Sequence, residues 1–402
     1  MTNRQEKRGL AAVKRLGFRP CLTLILALLA AVTSARPASA KHSAATSEPA
    51  GLSSRDWKQY PAIVEVGAVP DLYALGDSHG DYERLTELLS AAKLIPGVPT
   101  KPVAVKWAGG RAVLVCTGDM IDKYPHAMPI IAMMRALQVD AEKAGGRVIV
   151  TLGNHEAEFL GAFGEDKKGA EFESELKAAG ISPDDVGVGR DSAGIGAWLR
   201  NLPAGAKVGD WFFCHGGNTG GKSLEALNAD LETGISEGGF KAPVLSDPNS
   251  MLEARMHPRP WWDAGNDPSL KDIEKEEKKE EKEEKKSEHG KGKKSAGSTA
   301  GSDETAAKAK AEAASGQRLM AIVSPLGAKH LVFGHQPGKV TFADGTVREQ
   351  GQMFSKFNGL LFLIDTGMSR GVDSGRGAVL HISEGKKATA VYADGKTAVL
   401  WG

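Results

Sequence analysis

Short runs of apolar residues recur along the chain, and each gives way to a polar residue, most often across a glycine. Residues 72–75 lead into Gly76-Asp77, and residues 113–116 into Thr117-Gly118-Asp119. Residues 148–152 lead into Gly153-Asn154, and residues 211–214 into His215. Residues 331–333 lead into Gly334-His335, and residues 360–364 into Asp365. Uninterrupted apolar runs of this length predict strands buried on both faces. Residues 81–93 place Leu85, Leu88 and Leu89 at helical spacing with charges opposite, and residues 129–144 are similar. Alternating strands and helices predict an α/β layered fold. Such folds gather ligands at the carboxyl ends of their strands, where these polar residues fall.

Two stretches break the pattern. Residues 264–317 form a low-complexity insertion: Lys and Glu dominate 271–294, and Gly, Ser, Ala and Thr follow. So few apolar side chains cannot offset the entropy of ordering, so the segment reads as a disordered surface insertion in which a solvated helix forms in part. Residues 41–70 read as a leader or linker, opening with an Ala/Ser/Thr-rich stretch, so the domain is expected to span 71–402.

Residues 1–40 carry a secretory pattern: a basic head from Arg4 to Arg19, a short apolar run at 21–32, and Ala38-Ser39-Ala40. The run is short for a membrane span, so no stable membrane insertion is expected after cleavage, and the mature protein is expected in a periplasm or outside the cell. Cys21 stands at the start of the apolar run and not after it, so no lipid-anchored form is expected. Removing these residues leaves 44 basic against 49 acidic side chains, a net of −5, so no electrostatic argument favours nucleic acid. It also leaves two cysteines, Cys116 and Cys214, too few for a disulfide framework. Both end apolar runs and read as buried thiols, with a single bridge between them left open.

The polar residues after the strands suit one chemistry. Hydrolysing a phosphate ester requires an activated water, shielded phosphoryl oxygens and a protonated leaving group. Two metal ions about 3.5–4 Å apart supply the first two. Such ions take carboxylate, imidazole and amide oxygen. Asp77 and His79 stand two apart in Gly76-Asp77-Ser78-His79-Gly80-Asp81, where an extended loop can turn both to one side. Asp119 follows in Gly118-Asp119-Met120-Ile121-Asp122, Asn154 in Gly153-Asn154-His155-Glu156, His215 before Gly216-Gly217, and His335 in Gly334-His335-Gln336. Any one of these is an ordinary turn after a strand. Five in order are not.

The series resembles the calcineurin-like metallophosphoesterases. It is most similar to their phosphoprotein phosphatase type and its Shewanella-like and Rhizobiales-like bacterial branches, as is Ile364-Asp365-Thr366-Gly367-Met368-Ser369. The resemblance implies a layered β-sandwich flanked by helices. It also implies a pair of metal ions (Mn, Fe or Zn), with Asp77 and His79 on the first, Asp119 bridging, and Asn154, His215 and His335 on the second. His155 would be the general acid, oriented by Asp122, in keeping with histidine as the side chain that gives protons near neutral pH. In the family an Arg follows the second Asp of Gly-Asp-x-x-Asp and grips phosphate. Lys123 stands there, a point charge without the bidentate fork. A second cation is expected from the stretch Arg255 to Trp262, with Arg259 preferred.

The function expected is hydrolysis of a phosphomonoester, on phosphorylated protein or a small phosphoester. A phosphodiesterase, nucleotidase or dinucleoside polyphosphate hydrolase would use the same metals. A non-catalytic secreted metal-binding module would need neither Asp122 nor His155.

Overall fold

The computed structural model describes residues 55–162, 169–257, 261–262, 301–373 and 375–402. The expected secretory segment, most of the leader and residues 264–300 of the insertion lie outside them.

Two six-stranded sheets carry the fold. In the first, β2 (Asp71–Leu75), β3 (Val113–Cys116) and β4 (Arg147–Val150) run parallel, and β12 (Ala378–Ser383), β13 (Lys387–Tyr392) and β14 (Thr397–Trp401) extend it antiparallel beyond β2. In the second, the order is β1 (Ile63–Val66), β5 (Gly205–Val208), β6 (Trp211–Cys214), β7 (His330–Phe333), β11 (Leu361–Leu363) and β10 (Phe354–Lys356). Strands β6, β7 and β11 are parallel, with Phe212 opposite Leu331 and Leu361 opposite Leu331 on the other side. A short hairpin, β8 (Val340–Thr341) with β9 (Val347–Arg348), follows β7.

Side-chain alternation divides each central strand between two cores. Val113, Val115, Phe213, Val332 and Phe362 join one apolar cluster that both sheets share, while Leu114, Cys116, Phe212, Phe333 and Leu363 join another that includes the helices. This is why the strands read as continuous apolar runs. Helix α1 (Tyr82–Ala91) buries Leu85, Leu88 and Leu89, and α2 (Ala127–Lys143) buries Ile130, Met134 and Leu137. Both were expected within a few residues of these limits. The result is a layered α/β sandwich flanked by helices. Among the described residues no helix is long and apolar enough to cross a membrane. Cys116 and Cys214 are buried free thiols, and burial pushes both up to about 12.

Two boundaries need correction. The leader does not run to residue 70, because β1 pairs in parallel with β5 and buries Ile63 and Val64. Arg55 ties the preceding turn down, donating to the carbonyls of Leu202 and Pro61 at 2.9 and 3.0 Å. A four-residue strand interrupted by Glu65 carries too little pattern to be seen alone. The insertion also ends earlier than expected. Residues 301–317 belong to a helix, Gly301–Val323, here α9. Its sequence is rich in alanine, the strongest helix former, and its last turns bury Leu319 and Val323, four apart.

Candidate metal centre

The carboxyl ends of β2, β3, β4, β6 and β7 converge. Asp77, Asp119, His215 and His335, all buried, bring potential ligand atoms within 4.8 Å of one another, and His79, Asp119 and His155 form a second such group. Asp119 belongs to both groups. Asp77, however, groups with His215 and His335 rather than with His79.

The backbone that delivers these side chains is tightly locked. The β2 loop is stitched to the β3 loop by amides of Ser78 and His79 donating to Asp119 O at 3.0 and 2.9 Å. His79, Asp119, Asp122, Lys123 and His335 all have positive φ, between 35° and 66°. Left-handed backbone in a non-glycine residue costs about 1–3 kcal/mol and persists where surrounding contacts over-determine it. Glycine is required beside the carboxylates. A Cβ on Gly153 would fall on Asp119 Oδ1, and one on Gly334 on Asp77 Oδ1.

Hydrogen bonding sets the imidazoles. His79 Nδ1 lies 3.0 Å from Ile121 O, and His215 Nδ1 lies 2.8 Å from Thr117 O. A carbonyl only accepts, so each Nδ1 carries a hydrogen, and in the neutral imidazole that a metal would bind Nε2 keeps the lone pair. Those two Nε2 atoms stand 3.5 and 3.3 Å from Asp119 Oδ2. His215 Nε2 is also 3.1 Å from Asn154 Oδ1, the amide oxygen expected as a ligand. His335 Nε2 is buried with no hydrogen-bond partner. An orphaned imidazole nitrogen among two carboxylates and an amide oxygen is the donor set that a divalent metal takes.

Electrostatics within the group are unbalanced. Burial drives His79 down to about 4 and His335 well below its ordinary range. Burial, with Asp365 and Asp119 nearby, lifts Asp77 well above the usual carboxylate range. Burial acts against charge on His215 too, but Asp119 and Asp77 outweigh it and raise it to about 10.

His155 sits at the edge of this cluster, edge-on to His79 with ring centres 4.9 Å apart. Its Nδ1 is 2.8 Å from Asp122 Oδ2. Asp122 is held in turn by amides of Gly169 and Phe172 at the start of α4 (Ala170–Ala178). Lys123 is exposed. Arg259 lies outside the described residues.

Four further contributors were given no role of their own in the sequence reading. Glu156 is fully buried and accepts from the amides of Gly153, Asp119, Met120 and Ile121 at 2.7–3.2 Å, joining the β3 and β4 loops. Arg255 donates to His335 O at 2.5 Å. It opens the stretch in which Arg259 was preferred, and nothing in the sequence separates the two. Arg370 forms a two-pronged pair with the buried carboxylate of Asp81, while Ser369 Oγ donates to His79 O at 2.9 Å.

Residues 71–339 match the family described as calcineurin-like phosphoesterase. The chain belongs to this family. Within this calcineurin-like phosphoesterase, 107 residues are 39% identical to an uncharacterised protein of Schizosaccharomyces pombe, covering 27% of this chain and 28% of that one. A further 85-residue match is 35% identical to Shewanella-like protein phosphatase 2 of Arabidopsis thaliana, covering 21% and 20%. The chain thus spans between a fifth and three tenths of the length of these curated relatives. A crystal structure of a cold-active protein-tyrosine phosphatase from a psychrophilic Shewanella species superposes with a TM-score of 0.54 over 84% of this chain and 83% of that one, at 18% identity. That likeness is one of fold.

Proposed function

We propose that this calcineurin-like phosphoesterase hydrolyses phosphomonoesters, with a phosphorylated protein as its substrate. The observation that carries the reading is the His155–Asp122 pair beside a buried cluster of two carboxylates and three imidazoles. The protein phosphatase names of its partial relatives support the substrate class.

In this reading Asp77, His79, Asp119, Asn154, His215 and His335 hold two metal ions. When bound there, the pair lowers the pKa of a water and neutralises the phosphoryl oxygens. Asp122 fixes the His155 tautomer and favours its protonated form. Burial opposes that charge, but Asp119 and Asp122 raise the imidazole above its ordinary value. His155 then delivers a proton to the leaving oxygen, worth about 10²–10⁴ in rate. Arg255 and Lys123 are the cations for the substrate phosphate. Arg255 offers a planar fork where Lys123 offers one ammonium.

The sequence pattern of residues 1–40 supports export of the chain. The phosphodiesterase reading uses the same cluster, and the binding-module reading leaves His155–Asp122 without a purpose. The test is hydrolysis of p-nitrophenyl phosphate, bis-p-nitrophenyl phosphate, nucleotides and phospho-Ser and phospho-Tyr peptides with Mn²⁺ present. Preference for the diester overturns the monoesterase, and no turnover with any divalent metal favours the module.

A further inference from the structure

Arg348 is among the largest fully buried side chains of the protein and has 0% exposure. It belongs to β9, in the hairpin between β7 and β11, where it pairs with Val340. Burying a guanidinium this deeply is costly unless its donors are satisfied. Here the nearest hydrogen-bond partners are neutral carbonyls. Nε donates to Gln352 O at 2.7 Å. One terminal nitrogen faces Gln336 O at 2.7 Å, Pro337 O at 2.8 Å and Gly338 O at 2.5 Å. The other donates to Asp365 O.

Apart from Gln352, which lies between β9 and β10, these acceptors belong to two neighbouring loops. Residues 336–338 directly follow His335 at the end of β7, and Asp365 follows β11, its parallel neighbour. His335 occupies a strained left-handed backbone with φ of 59°. Its amide donates to both Asp77 carboxylate oxygens at 3.1 and 3.2 Å. Asp365 backs onto the same place from the other side, because a Cβ on Gly76 would be 3.0 Å from its Cα. One rigid fork therefore ties together the two loops that flank Asp77.

We propose that Arg348 is a positioning residue of the metal centre, fixing His335 and Asp77 relative to each other by clamping the loops after β7 and β11. The inference rests on the metal-centre reading given above. Lysine cannot substitute, since three donors on one nitrogen do not span carbonyls on both loops. Residues that orient metal ligands typically change metal affinity or activity by about 10–100-fold when removed.

The experiment compares the full chain with R348M and R348K. Metal-free protein is titrated with Mn²⁺ by calorimetry, thermal unfolding is recorded without metal, and kcat and KM are measured on p-nitrophenyl phosphate. The expected result is Mn²⁺ binding weaker by about 10–100-fold in R348M, with kcat reduced and KM changed far less. R348K is expected to recover thermal stability while its Mn²⁺ affinity stays low. A folded R348M that binds Mn²⁺ within about twofold of the wild type overturns the proposal. Should R348M not fold, the same titration on R348K decides: wild-type affinity there overturns it. A wild-type chain that takes up no Mn²⁺ overturns the metal-centre reading, and this one with it.

Discussion

His155 Nδ1 lies 2.8 Å from Asp122 Oδ2, and both side chains are buried. The contact reserves Nδ1 for the carboxylate, and in the proposed mechanism Nε2 handles the proton. His155→Asn is expected to lower kcat by about 10²–10⁴ on an aryl phosphate with metal content unchanged. Asp122→Asn should act in the same direction by a smaller factor. Full activity in His155→Asn, measured at saturating Mn²⁺, would remove His155 from the mechanism.

Arg255 lies against the loop of His335, which supports it as a phosphate contact alongside the sequence candidate Arg259. Arg255→Ala is expected to cost about 1.5–3 kcal/mol of transition-state binding, as for a lost charged hydrogen bond. Arg259→Ala is the comparison, with a smaller loss expected if Arg255 is the phosphate contact. Steady-state kinetics on the two variants check the order, and a larger loss at Arg259 reverses the assignment.

Gly153 has no room for a side chain beside Asp119. Gly153→Ala must displace the β4 loop or the carboxylate it faces. The variant is expected to retain its secondary structure by circular dichroism while losing most of its bound metal by elemental analysis. Wild-type metal content would show that the loop yields without disturbing Asp119.

Metal removal should cost stability as well as activity. A ligand that binds only the folded state at a hundred times its Kd stabilises by about 2.7 kcal/mol. Thermal unfolding should therefore shift upward with added Mn²⁺ and fall back with chelator. A midpoint indifferent to both would count against a metal centre in these loops.

Lys356 joins Glu312 of α9 to Asp344 beyond β8, with contacts of 2.8 and 2.5 Å and little exposure on the lysine. Burial acts against its charge, but Asp344 and Glu312 raise it above its ordinary value, and Lys356 holds Asp344 below the usual carboxylate range against burial. A carboxyl lowered on folding stabilises above its unfolded value near 3.9, and that contribution disappears as pH falls through the lowered one. Lys356→Met should thus destabilise by about 2 kcal/mol at pH 7, a difference that shrinks towards pH 2. Denaturant titrations at the two pH values give the comparison, and an unchanged difference would locate the effect in packing.

The elements that carry the candidate metal centre were legible because their physics is local. Strands buried on both faces must be apolar at every position, so β2, β3, β4, β6, β7 and β11 stand out. Their polar termini stand out by contrast. Strand β1 and the meander β12 to β14 were not seen: β1 is four residues long, and the meander lies beyond the last motif. Asp77, His79, Asp119, Asn154, His215 and His335 could be named because each follows a strand whose end a layered fold must bring to one side. Family resemblance supplied their roles.

What the sequence could not determine depends on distances between remote segments. Glu156, Arg348 and the Arg370–Asp81 pair act on backbone amides, carbonyls and a carboxylate far along the chain, and no spacing encodes such partners. The place of Arg255 against His335 is of the same kind. By itself the sequence determined which side chains are candidates to hold a metal and move a proton. Only the tertiary structure decided which of them meet and which buried groups keep them in place, because burial and hydrogen bonding between distant loops exist only once the two sheets have packed.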